Sequence, residues 1–168
     1  MQREHVRFRP KTDEDDPFLL YLYATTRAHE MAMVEWTDQQ KVEFLTMQFR
    51  AQKEYYETQY DNCEFLVLET LEGQPVGRLY IDRAPHDIRI VDIALLPEIR
   101  GKGLGRVLLQ EIIDEAAATN RAVTIHVEIF NPALHLYYRL GFQDVETNGV
   151  YKLMEWRAPV AAAEPSAT

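Results

Sequence analysis

The residues best suited to chemistry lie in Arg100-Gly101-Lys102-Gly103-Leu104-Gly105-Arg106. Three glycines in five residues let the main chain approach a ligand closely. A helix that begins there presents amides without intrahelical partners at the positive end of its dipole. Phosphate oxygens are the natural occupant of such a place. Arg100, Lys102 and Arg106 concentrate positive charge in a chain whose net charge is -9. Spacing excludes two common phosphate binders. No Gly-x-x-x-x-Gly-Lys-Ser/Thr run occurs, and in Gly-x-Gly-x-x-Gly the third glycine would fall on Arg106.

The neighbouring segments are built to hold this loop. Residues 90–97, Ile-Val-Asp-Ile-Ala-Leu-Leu-Pro, form a short apolar run that proline closes, which predicts a strand. Leu104, Leu108, Ile112 and Ala116, widened by Leu109, Ile113 and Ala117, form the apolar stripe of a helix. The predicted order is therefore strand, glycine turn, helix. Residues 123–129 predict a further strand with Val123, Ile125, Val127 and Ile129 on one face and Thr124, His126 and Glu128 on the other. Next comes Asn131-Pro132-Ala133-Leu134-His135-Leu136-Tyr137-Tyr138-Arg139-Leu140-Gly141-Phe142, read as a short helix capped by Asn131, opened by Pro132 and ended by Gly141.

Two blocks in this order carry a resemblance. Arg100 to Gly105 matches Arg/Gln-x-x-Gly-x-Gly/Ala. Asn131 to Phe142 is similar to Asn-(Pro)-x-Ala-x-x-Leu-Tyr-x-x-Leu-Gly-Phe, one residue tighter between Asn131 and Tyr137. Together they resemble the GCN5-related N-acetyltransferases (GNAT) over residues 63–156. The resemblance implies an α/β fold, a three-layer α/β/α arrangement around a twisted, splayed mixed sheet of about seven strands, with coenzyme A entering between the central strand and the strand over 123–129. It implies acetyl-CoA as acyl donor, with its diphosphate on Arg100, Gly101, Lys102, Gly103, Leu104, Gly105 and Arg106. The pantetheine arm would lie along Ile93, Ala94 and Leu95, and Asn131 and Tyr137 would also face the donor.

Acetyl transfer to a primary amine, by direct attack through a tetrahedral intermediate, needs an oxyanion donor, a proton for the departing thiolate and a neutral amine. The resemblance assigns the first to a main-chain amide near Leu95, worth about 3 kcal/mol in comparable sites. Tyr137 is the candidate acid, since a phenol of pKa about 10 is protonated at neutral pH and can supply a thiolate whose thiol lies near about 8.5. Tyr138 is the alternative if the register slips. Asp92, His126 and Glu128 are the candidate bases, with a water chain as an alternative to all three. Glu30, Glu35 and Trp36 are candidates for an acceptor wall, and core packing or a solvated turn accounts for them equally well.

The remainder sets bounds. At 168 residues the chain is read as one acyl-CoA N-acyltransferase domain over 1–157, with a tail of small residues over 158–168 expected to be disordered. A first strand is predicted over 5–10, helices over 17–30 and 37–60, a hairpin over 63–82 with Gly77 as a bulge or close approach, and a closing hairpin through Thr147-Asn148-Gly149. Cys63 is the single cysteine, so no intrachain disulfide forms, and it is read as a small packed residue. The five histidines lack ligand spacing, so no metal is expected. No apolar run is long enough for a signal peptide or a membrane span, and a soluble, cytoplasmic protein is expected. The acidic balance disfavours nucleic acid and anionic membranes as partners and suits a cationic acceptor. The apolar residues of the last hairpin leave monomer and homodimer both open. The competing readings are a non-catalytic acyl-CoA-binding regulatory module and a nucleotide-binding protein.

Overall fold

A computed structural model of the chain describes residues 1–159; the expected tail lies, from residue 160 on, outside the described residues. The strands are β1 (Val6–Pro10), β2 (Cys63–Thr70), β3 (Pro75–Arg83), β4 (Asp87–Leu95), β5 (Ala122–Glu128), β6 (Gln143–Asn148) and β7 (Tyr151–Trp156). The helices are α1 (Asp16–Thr26), α2 (Ala28–Ala32), α3 (Asp38–Gln59), α4 (Leu104–Ala118) and α5 (Leu134–Leu140). The strands form one open, mixed sheet of seven with helices flanking it, ordered β1-β2-β3-β4-β5-β7-β6. β4 and β5 are parallel, and their pairing runs from Asp87↔Ala122 to Ile90↔Ile125. The pairs β1·β2, β2·β3, β5·β7 and β6·β7 are antiparallel. Among the described residues no helix is long and apolar enough to cross a membrane.

The chain divides into two compact units. One comprises Met1–Asp82 and Asp92–Gly105, the other Arg83–Val91 and the described chain from Arg106 on. In the first unit Leu19, Tyr23, Met31, Leu45, Phe49 and Val67 pack as one cluster. Its edge is tied by ions. The Arg9 guanidinium donates to Glu69 Oε2 at 2.8 Å and to both oxygens of Asp15 at 2.7 and 2.9 Å, while Arg7 donates to Glu69 Oε1 at 3.0 Å. Asp15 and Glu69 are both buried. In the second unit Val123, Ile125 and Val127 are buried along β5, and Leu108, Leu109, Ile112, Ile113 and Ala116 along α4. Ala117, expected on that stripe, faces outward.

Local chemistry sets the element ends. Thr37 accepts from the Gln40 amide at 3.2 Å and the Gln40 side chain accepts from the Thr37 amide at 2.9 Å, the capping box that starts α3. The helix expected over 17–30 breaks at Arg27. Thr25 and Thr26 return their hydroxyls to the carbonyls of Leu22 and Tyr23, both at 2.6 Å, which loosens the last turn of α1. Asn120 ends the turn after α4 with φ 55°, as expected of an asparagine at a helix terminus. The last hairpin turns one residue later than expected. Asn148 still pairs with Tyr151, and Gly149, at φ 63°, takes the first loop position, where a two-residue turn needs a left-handed residue.

Candidate functional site

At the end of β4 the chain turns sharply. The amides of Ile99 and Arg100 donate to the Leu96 carbonyl at 2.9 and 3.2 Å. Gly101 and Gly103 follow with φ of 74° and 90°, conformations that side chains rarely adopt, and a β-carbon at either would meet no heavy atom within 4 Å. Both glycines thus open onto free space as α4 begins at Leu104, which is itself buried. Lys102 and Arg106 are exposed beside them. A left-handed loop, the first amides of a 15-residue helix and two exposed cations have the donor set a diphosphate requires. The residues present fit the diphosphate of coenzyme A.

Arg100 behaves differently from its neighbours. Its Nε donates to the Leu95 carbonyl at 2.8 Å, and its Nη2 to Thr25 Oγ1, at the end of α1, at 3.1 Å. On β4, Ile93 and Ala94 are half-buried and Leu95 is buried. The Leu96 amide donates to the Val76 carbonyl at 2.9 Å, so the Leu95–Leu96 peptide is held at both its oxygen and its nitrogen.

Asp92 interrupts the apolar run of β4 because a buried cation stands beside it. Arg78, on β3, is 3% exposed, and its Nη2 binds Asp92 Oδ2 and, at 3.1 Å, Gln52 Oε1. Its guanidinium carbon lies 4.9 Å from the Tyr80 ring centroid. Burial lowers the Arg78 pKa and the charge of Asp92 raises it, with a net upward shift, so the guanidinium keeps its charge although buried. Tyr56 reaches Asp92 Oδ2 at a long 3.5 Å. Burial, then the Asp92 charge, drives the Tyr56 phenol up, and burial pushes Tyr80 up to about 12, so both stay protonated at neutral pH. Arg78, Gln52 and Tyr56 are not among the residues the sequence motifs point to. The signal is present all the same: an arginine inside the apolar run Val76-Gly77-Arg78-Leu79 and an aspartate inside β4 are each tolerable only if paired.

On β5 His126 is exposed between buried Ile125 and Val127, but Thr124, expected on the open face, is buried as well, and Ile129, expected on the apolar face, lies past the strand and is exposed. Arg89 Nε donates to Thr124 Oγ1 at 2.6 Å, and Arg89 Nη1 lies 3.1 Å from His126 Nδ1. A guanidinium can only donate, so a neutral His126 accepts at Nδ1 and carries its proton on Nε2. Desolvation, then the Arg89 charge, moves the His126 pKa down, keeping the ring neutral at pH 7. Glu128, at the end of β5, is half-buried.

Tyr137 lies on α5, buried, with its ring edge-on to Phe142 at 5.5 Å between centroids. Tyr138 is exposed and engaged elsewhere: its hydroxyl donates to Asp144 Oδ1 at 2.7 Å and accepts from Lys152 Nζ at 2.9 Å. α5 begins at Leu134 rather than Pro132. Asn131 Oδ1 accepts from the Ala133 amide at 2.9 Å and the Asn131 carbonyl from the Leu134 amide at 3.1 Å, one tight turn before the helix proper. Burial raises the Cys63 thiol to about 11, leaving it a thiol at neutral pH. Among the described residues no three His, Cys, Asp or Glu side chains are grouped to hold a metal ion.

An open seven-stranded mixed sheet with a glycine turn after its fourth strand is a fold that solved acetyltransferase structures share. The Thermoplasma acidophilum PaiA N-acetyltransferase in complex with coenzyme A aligns with a TM-score of 0.66 at 17% identity, covering 91% of this chain and 99% of that one. The Vibrio cholerae spermidine N-acetyltransferase in complex with CoA and spermine aligns with a TM-score of 0.60 at 20% identity, covering 92% and 96%. By sequence, residues 12–142 match the acetyltransferase (GNAT) family, and the chain belongs to it. A 75-residue segment, 45% of this chain, is 32% identical to the UPF0157 protein YqkA of Bacillus subtilis (strain 168) and covers 22% of that protein.

Proposed function

We propose that this chain is an N-acetyltransferase that moves the acetyl group of acetyl-CoA to a primary amine of a small molecule or a protein, with residues 1–157 acting as one catalytic unit. The observation that carries the reading is the pair of left-handed glycines, Gly101 and Gly103, opening freely at the start of α4 directly after β4. In this reading the amides of Gly101 to Gly105, with Lys102 and Arg106, hold the diphosphate, and the edge of β4 from Ile93 to Leu95 pairs with the pantetheine arm. The donor supplies an activated acyl thioester. The Leu95 amide stabilises charge on the acyl oxygen, and the Tyr137 hydroxyl protonates the leaving thiolate.

The amine's proton leaves by water in this reading. Asp92 is held by Arg78, and the free lone pair of His126 is turned to Arg89, so both are engaged; Glu128, half-buried at the end of β5, is the third side-chain candidate. The acidic chain favours a cationic acceptor. Polyamines therefore belong in the first acceptor panel, in keeping with the spermine bound in the Vibrio neighbour. The engagement of Asp92 and His126 also favours a second reading, a regulatory module that binds acyl-CoA without turnover. Calorimetry with acetyl-CoA tests binding, and release of free thiol across polyamines, amino acids and lysine peptides tests turnover. Binding with turnover supports the enzyme, binding without turnover on any acceptor supports the module, and no binding removes both.

A further inference from the structure

The geometry points to Arg100 as a positioning residue that holds the Leu95 edge of β4, acting through the main chain instead of contacting the donor's diphosphate. This rests on the acetyltransferase reading above. Two close contacts fix the direction of that edge. A β-carbon on Gly77 would lie 2.6 Å from the Ala94 carbonyl oxygen, so that oxygen points toward β3, and the Leu96 amide points the same way to reach Val76. The peptides of the described residues are trans, so the amide and the carbonyl of Leu95 both lie on the opposite edge of β4.

An amide offered to a developing oxyanion would then share its edge with its own residue's carbonyl, whose partial negative charge opposes it. Arg100 Nε, donating to that carbonyl at 2.8 Å, satisfies it with a cation. The other end of the guanidinium is spent on Thr25, whose hydroxyl proton is committed to the Leu22 carbonyl and whose oxygen is therefore an acceptor. One side chain thus ties the last turn of α1 to the end of β4, while Lys102 and Arg106 stand exposed on the loop.

Side-chain length makes the inference testable. Glutamine places an N–H donor the same number of bonds from the main chain as arginine Nε but carries no charge. Lysine keeps the charge and has a methylene there. The full chain carrying Arg100→Gln, Arg100→Lys or Arg100→Leu is assayed with acetyl-CoA and with S-acetylpantetheine, which lacks the diphosphate, alongside hydrogen exchange at the Leu96 amide and thermal melting. The expected result is that Gln stays within about threefold of wild type in kcat, whereas Leu and Lys lose about tenfold or more with both donors. Leu96 protection should fall in Leu and Lys and persist in Gln. Loss confined to acetyl-CoA, worse for Gln than for Lys, with Leu96 protection unchanged, overturns the inference and makes Arg100 a diphosphate ligand. If the wild-type chain turns over neither donor, acetyl transfer is what fails, and the exchange pattern alone decides whether the clamp exists.

Discussion

Gly77 on β3 lies so close to Ala94 on β4 that a β-carbon at position 77 would fall 2.6 Å from the Ala94 oxygen and 2.8 Å from the Leu95 side chain. Backbone cannot yield as a flexible side chain does, so Gly77→Ala must push β4 away from β3. The expected cost is about 1–3 kcal/mol, the range for an overpacked interior. Urea unfolding checks it, and kcat should fall as well, because the displaced residues include Leu95. A variant as stable as wild type would mean that the two strands do not approach so closely.

The Arg78–Asp92 pair predicts an asymmetric response. Asp92→Ala leaves a buried guanidinium without its counter-charge, for an expected loss of about 3–5 kcal/mol, whereas Arg78→Met with Asp92→Leu should recover most of it. Activity measured on the double variant separates structure from chemistry. If turnover returns with stability, Asp92 serves the fold; if the stable double variant is inert, Asp92 takes part in proton transfer.

Tyr137→Phe retains the ring that packs on Phe142 and removes only the hydroxyl. The expected result is a fall in kcat of about 100-fold or more, the usual size of a lost general acid. Tyr138→Phe breaks contacts only with Asp144 and Lys152 and should leave kcat within about twofold. Equal effects at the two positions would argue against Tyr137 as the acid.

Acid should loosen the first unit through its ion cluster. Hydrogen bonds from Arg9 pull Asp15 down from 3.8 to about 2, and Arg9 with Arg7 also lowers Glu69. A carboxylate whose pKa is depressed by folding contributes its stability in full above the unfolded value and loses it as pH falls through the folded one. Urea midpoints should therefore hold down to about pH 4 and decline toward pH 2. Arg9→Gln should flatten that decline while lowering the plateau. An unchanged acid profile in Arg9→Gln would show that the cluster contributes no such linkage.

Features set by neighbours along the chain are legible in the amino-acid sequence. The Thr37 and Gln40 cap, the proline near the start of α1, the left-handed Asn120 and Gly141, and the strand–glycine–helix run at 90–116 each follow from a few adjacent residues. Small offsets arise where two local signals compete. Hydroxyls of Thr25 and Thr26 cut one expected helix in two, Asn131 uses its side chain to form a turn ahead of α5, and Gly149 rather than Asn148 takes the first turn position. Partnership across the sheet is not legible in this way. Asp92 stands out as an odd residue in an apolar strand, but periodicity does not say which strand lies beside it. The Arg78 pairing, like the joining of Arg9 to Glu69 sixty residues away, depends on strand order.

Two tryptophans divide between the two units: Trp36, 41% exposed and edge-on to Phe44, and Trp156, 9% exposed with its indole 3.3 Å from where a β-carbon of Gly141 would stand. Gly141 ends the helix that carries Tyr137. A Trp36→Phe protein would therefore keep a single tryptophan, excitable apart from the nine tyrosines and seated at the foot of the proposed acid's helix. Its emission could follow that helix through a titration or a melt without any attached dye.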